Sequence, residues 1–306
     1  MRKGRWTVAA MAAVVAMAAG GCSTASSGTA GGGGSVIPVA ASINAWGSVL
    51  AQLGGSHVSE TSIITNPDTD PHDYEPTPQD GTVIAGAKLF VENGIGYDSW
   101  AAKSLAASPD PSRVVIDVGT LVHIPDGGNP HRWYSPANVD TVADTITADL
   151  KKLDPGDAAY FAAQRTKFAN SGLGAYDRLI DEIRTRYAGV PVGASESIFA
   201  PLARALKLDL VTPASFLKDI SEGTDPSPAD LSTIDSQITN HKIKVYVFNS
   251  QNATPDVAAQ VKAAKAAGIP VSTVTETLSP ASDSFQQWQS SQLQALLAAL
   301  HQATGK

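Results

Sequence analysis

Asp70-Pro71-His72-Asp73-Tyr74-Glu75-Pro76 follows a short apolar run at 62–65 and leads into Thr77-Pro78, a capping residue with proline at the first helical position. This stretch therefore reads as strand, loop, helix, and it sets the pattern for the rest of the chain. The loop carries a histidine between two prolines. Proline fixes its own φ and restricts the residue before it, so a neighbouring side chain is aimed with little entropy left to lose on binding. Asn129-Pro130-His131-Arg132-Trp133 repeats the device, again ahead of a helix start at Ser135-Pro136. Neutral imidazole is the commonest transition-metal ligand near neutral pH, so two proline-stiffened loop histidines point to a metal site.

Outward from this stretch, short apolar runs alternate with helical patterns from Val36 onward, which is the signature of βαβ units and a parallel sheet. In a first block, strands are expected at 36–40, 62–65, 88–92 and 114–118, and helices at 45–53, 78–87 and 99–107. The helix after Ser135 carries Val139, Val142, Ala143, Ile146, Leu150 and Leu153 at helical spacing. A long helical pattern over 157–187 then puts Phe161, Phe168, Leu173, Tyr176, Leu179, Ile180 and Ile183 on one face. Such a rod would span about 45 Å and connect two lobes, with Gly172 and Gly174 as places where it bends. A second block has strands at 190–194, 208–212, 244–248 and 271–275, with helices at 198–206, 228–240, 255–267 and 282–303. The expected fold is α/β: two lobes, 36–154 and 189–306, each a mainly parallel sheet with helices on both faces, joined by one connecting helix at 155–188.

Open parallel sheets bind ligands beyond the carboxyl ends of their strands. His72 follows the strand at 62–65 and His131 the strand at 114–118, while Glu196 comes two residues after 190–194 and Glu276 directly after 271–275. Each lobe thus offers two metal-competent side chains to a cleft between the lobes. As loop residues, the two histidines are expected to contribute little to either core. His123, between the two motifs, is a candidate for a transient or outer contact, and His57, His241 and His301 fall on expected surface positions. Two imidazoles and two carboxylates without a thiolate suit one Mn(II) or Zn(II) ion; the carboxylates lean toward manganese, the Irving-Williams order toward zinc. On balance manganese is slightly favoured.

The first 21 residues read as an export signal, with Arg2, Lys3 and Arg5 ahead of an Ala/Val/Met-rich run shorter than a bilayer span requires. Cys22 is the only cysteine, which rules out an intrachain disulfide framework. Its place after Ala19-Gly20-Gly21 resembles a bacterial lipobox and implies a lipid-bearing first residue, with 22–35 as a flexible tether. Without the three basic residues of the leader, 19 Lys+Arg face 29 Asp+Glu, a formal charge of −10. That balance argues against nucleic acid and anionic lipid as partners and suits the attraction of cations.

From Val36 to about His301 the chain resembles the zinc/manganese-specific solute-binding proteins of bacterial ABC importers. The resemblance rests on the two histidine motifs, on Ser195-Glu196-Ser197-Ile198-Phe199, on Asp225-Pro226-Ser227-Pro228 and on Thr275-Glu276. In that family the first two motifs carry histidine ligands, the third ligand is histidine or glutamate, and the last is usually aspartate. Carried over, the set is His72, His131, Glu196 and Glu276, the last one methylene longer than the family's usual residue. The histidine-rich loop of zinc-importing relatives is absent, since 122–130 holds only His123. The resemblance implies a monomeric lipoprotein on the outer face of the cytoplasmic membrane that hands a metal ion to a permease and catalyses no reaction. Two other readings compete. An exported metallohydrolase would need a general base beside an open metal position, and no His-Glu-x-x-His spacing occurs. A surface adhesin or structural lipoprotein with a metal site leaves no motif by which to be recognised.

Overall fold

The computed structural model describes residues 36–306 apart from residue 69; the export signal, Cys22 and the tether lie outside the described residues. Ile37–Ile43 (β1) is buried from Val39 to its end, as expected of a strand covered on both faces. It leads through Asn44–Gly54 (α1) to Val58–Ile64 (β2), then through Pro78–Gly86 (α2) to Leu89–Glu92 (β3), and through Ser99–Ala107 (α3) to Val114–Asp117 (β4). All pairings are parallel, in the order β2-β1-β3-β4. A short helix, Val118–Leu121 (α4), and the helix Pro136–Leu153 (α5) complete this part.

Helical backbone then continues as Ala158–Lys167 (α6), a wide π turn at Phe168–Gly172, and Gly174–Tyr187 (α7). Gly172 ends that π turn and Gly174 begins α7, so the rod departs from a regular helix where the two glycines fall. The second sheet is built from Pro191–Ala194 (β5), Asp209–Leu210 (β6), Val245–Asn249 (β7) and Val271–Val274 (β8), all parallel, in the order β6-β5-β7-β8. Its helices are Ala200–Ala205 (α8), Ala214–Ser221 (α9), Pro228–Thr239 (α10), Pro255–Ala266 (α11) and Phe285–Thr304 (α12). Both sheets therefore run second, first, third, fourth, which places a topological switch between β1 and β3 and another between β5 and β7.

The local differences from expectation have simple causes. The strand expected at 208–212 keeps only two ladder residues, because Pro213 follows and opens α9, a helix that buries Phe216, Leu217 and Ile220. Thr77 and Ser227 cap their helices as expected, with Ser227 accepting the Asp230 amide, whereas the Ser135 side chain makes no cap bond. One continuous apolar core runs through both sheets, from Trp46 and Leu50 of α1 through Tyr176 and Ile183 of α7 to Trp288 and Leu293 of α12. The start of α12 is tied back to α1 by Phe285 N–H donating to Ser48 Oγ at 2.9 Å and by Gln286 donating to Gln52 at 2.8 Å. No helix among the described residues is long and apolar enough to cross a membrane.

Candidate metal centre

His72 sits in a one-turn 3-10 helix, Pro71–Asp73, whose amide geometry is set by Asp70: its carboxylate accepts the His72 N–H at 2.9 Å. His131 opens another such turn, and Asn129 Oδ1 accepts both its backbone N–H (3.0 Å) and, at 3.1 Å, its ring Nδ1. With Nδ1–H given to Asn129, the Nε2 lone pair of His131 is left facing the cleft. Glu196 follows β5 and Glu276 follows β8. The structure brings the four side chains together, with one ligand atom from each lying within 4.8 Å of the others.

The separations are informative. His72 Nε2 and His131 Nε2 are 3.3 Å apart. His131 Nε2 is 3.5 Å from Glu196 Oε1 and 3.5 Å from Glu276 Oε2; His72 Nε2 is 3.5 Å from Glu276 Oε1 and 4.0 Å from Glu196 Oε1. Four donors placed tetrahedrally at about 2.1 Å from one ion are about 3.4 Å from each other. The donor set thus encloses a space of the size a transition-metal ion needs.

Burial divides the four. His131, Glu196 and Glu276 are fully buried, and only the His72 side chain, 20% exposed, reaches the cavity of about 670 Å³ that opens between the lobes. The expectation that both histidines matter little to the core fails for His131. Its ring packs edge-on against Trp133 at 5.5 Å and Tyr97 at 6.2 Å, so its removal leaves a cavity.

Burial lowers the proton affinity of His131, against the pull of Glu276. It works the same way on His72, but there the Glu276 and Glu196 charges prevail and raise the imidazole to about 9. Burial and then the neighbouring Glu276 charge push Glu196 up to about 8. Burial acts to raise Glu276 too, but the two imidazoles hold it well below the usual carboxylate range. At neutral pH the metal-free cluster therefore carries a protonated His72, a protonated Glu196 and an ionised Glu276. Two protons stand in for one divalent charge.

Several supporting groups were not anticipated from sequence. Asn249, the last residue of β7, donates to Glu196 Oε2 at 2.6 Å and to Glu276 Oε1 at 3.1 Å, and Ser221 donates to Glu196 Oε1 at 3.2 Å. Asn93, straight after β3, donates to the Pro130 carbonyl at 2.9 Å and so holds the His131 loop. These two fully buried asparagines occupy the same place in the two sheets, at the carboxyl end of the third strand beside the switch point. The strand-end rule that found Glu196 finds them too if amides are admitted. Tyr97 gives no such signal. It follows Gly94, Ile95 and Gly96, all with positive φ (68°, 61° and 84°), and its hydroxyl donates to Glu276 Oε2 at 2.8 Å. A β-branched residue in that region is strained by about 1–3 kcal/mol, a cost seen mainly where function holds a loop in place. His123 is exposed in a tight turn and is not among the four.

Comparison with known proteins adds the lineage. The chain is 28% identical over 153 residues to the manganese-binding lipoprotein MntA of Halalkalibacterium halodurans, a match covering 49% of this chain and half the length of that relative. It is 27% identical over 223 residues to the iron-binding protein YfeA of Yersinia pestis, covering 69% of each. In three dimensions it is similar to a crystal structure of ZnuA, with a TM-score of 0.68 at 23% identity over 88% of this chain and 99% of that one. The model of the family of periplasmic zinc-uptake complex component A matches residues 39–299, and the chain belongs to that family.

Proposed function

We propose that the protein captures one divalent transition-metal ion outside the cytoplasm, holds it with His72, His131, Glu196 and Glu276, and delivers it to the permease of an ABC importer. The observation that carries this reading is the convergence of four side chains drawn from both lobes, the imidazoles 3.3 Å from each other and 3.5–4.0 Å from the carboxylates. Family membership supports it, as do the relatives, which include a manganese-binding lipoprotein and an iron-binding protein. Lipidation of Cys22 and an otherwise monomeric protein on the outer face of the membrane belong to the same reading.

Manganese remains slightly favoured as cargo, because half of the donor set is carboxylate oxygen. Glu276 tests this preference. Glu276→Gln keeps size and removes charge, and it should weaken Mn(II) binding more than Zn(II) binding in calorimetric titrations of the metal-free protein. Tight one-to-one uptake without any hydrolytic turnover fits capture. Equal losses for both metals would remove the case for manganese, and no loss for either would remove Glu276 from the site.

A further inference from the structure

Away from the cleft, at the amino end of β2, a second group of metal-ligating side chains converges. The turn Gly55–His57, between α1 and β2, meets the turn Pro155–Asp157, between α5 and α6. His57 Nδ1 lies 2.8 Å from Asp157 Oδ2, and His57, Asp154 and Asp157 each place one ligand atom within 4.8 Å of the others. Neither carboxylate is used by the helix beside it: Asp154 and Asp157 flank the junction of α5 and α6, and neither side chain caps. Asp154 has no hydrogen-bonding or ionic partner for its side chain among the described residues. Two carboxylates are thus held close together with one imidazole as their common neighbour, an arrangement that a shared cation relieves.

The imidazole is already fixed. Its ring stacks on Tyr160 at 4.0 Å between centroids and meets the edge of Phe161 at 5.9 Å, while the Tyr160 hydroxyl accepts the Ser56 N–H at 3.0 Å. Binding therefore costs little additional ordering of the ring. We propose that His57, Asp154 and Asp157 form a second divalent-cation site, independent of the cleft, in which one imidazole nitrogen and two carboxylates hold a Zn(II)- or Mn(II)-class ion and water completes the coordination. The part exposure of His57 and Asp157 makes it the weaker of the two sites. An ion there clips the turn before β2 to the start of the connecting helix.

Equilibrium dialysis of the mature chain against Zn²⁺ and, separately, Mn²⁺ tests the proposal through stoichiometry. The wild type is expected to take up two ions of at least one of these metals, the second with at least tenfold lower affinity than the first. Asp154→Asn/Asp157→Asn, nearly isosteric at a part-exposed turn, is expected to take up one, with the tight site unchanged. In a His72→Ala variant, addition of metal should still raise the melting temperature, and adding the two Asn substitutions should abolish that rise. A single ion in the wild type with both metals would show that His57 and Asp157 form an ion pair only and would overturn the proposal. So would weak uptake that the Asn substitutions leave unchanged.

Discussion

Asn129 and Asn249 do not titrate, yet they decide what the titratable residues beside them can do. Asn129 fixes the ring of His131 so that Nε2 faces the cleft, and Asn249 bridges the two glutamates, taking one oxygen of each and leaving Glu196 Oε1 turned toward the imidazoles. The proton inventory of the cluster then makes a prediction. His72 is raised to about 9 and Glu196 to about 8, so both are protonated at pH 7 and both must lose their protons to a divalent ion. Binding should release about two protons per ion at pH 7, measured by calorimetry in buffers of different ionisation enthalpy. The sign follows: protons compete with the metal while the two raised groups are protonated, so affinity rises with pH through their titration and levels off above it. Release of no protons at pH 7 would contradict this charge assignment. The pH limit lies above the ordinary histidine range of about 6.5 because of carboxylate neighbours that sequence spacing does not reveal.

Among the elements, periodicity and capping signals located most strands and helices, although β2 begins at Val58, four residues before the expected start. Where packing overrides local preference they overran, as at β6, expected over 208–212 and two residues long, or were silent, as at α9. Gly54 at the end of α1 illustrates that conflict. Helix propensity alone says that Gly54→Ala stabilises by about 1 kcal/mol. A Cβ at Gly54 would, however, sit 2.3–2.9 Å from Val58, meeting both of its methyls and its Cβ, and a β-branched side chain has no rotamer that clears all three. Overpacking of this kind costs about 1–3 kcal/mol, so the clash wins. Gly54→Ala should lower stability in urea unfolding, and Val58→Ala on that background should recover part of the loss. A gain in stability from Gly54→Ala alone would show that α1 and β2 can move apart.

For the whole molecule the question is what draws the two lobes onto the cleft. Besides the four candidate ligands, Tyr97 reaches across to Glu276, the Asn129 side chain donates to the Ser197 carbonyl at 2.6 Å, and Tyr134 donates to the Thr275 carbonyl at 2.7 Å. A hydrogen bond to a charged group contributes about 1.5–3 kcal/mol, or roughly ten- to hundredfold in affinity when it is made only in the closed form. Tyr97→Phe should weaken metal binding by about that factor, mainly through faster release in stopped-flow chelation. A change of less than about twofold would show that closure does not depend on this bond. If Cys22 bears the lipid, Cys22→Ser should turn a membrane-associated protein into a soluble or unprocessed one on fractionation of expressing cells, with metal affinity unchanged, because residues 22–35 precede the segment that carries the four candidate ligands. Retention on the membrane would point to another attachment.

By itself the sequence determined the parallel α/β alternation, the loops that bear His72 and His131, and the strand ends that bear Glu196 and Glu276. It could do so because strand and helix periods, proline restriction and capping act over a few residues. Only the tertiary structure decided that these four side chains converge, with the imidazoles 3.3 Å from each other and 3.5–4.0 Å from the carboxylates, that His131 is a core residue as well, and that Tyr97, Asn93 and Asn249 brace them. Contacts such as Tyr97 to Glu276, 179 positions apart in the chain, arise from the packing of two separate sheets, and no local pattern encodes them. The protonation states follow the same division. They depend on burial and on charges contributed by distant segments, and those come together only in the folded chain.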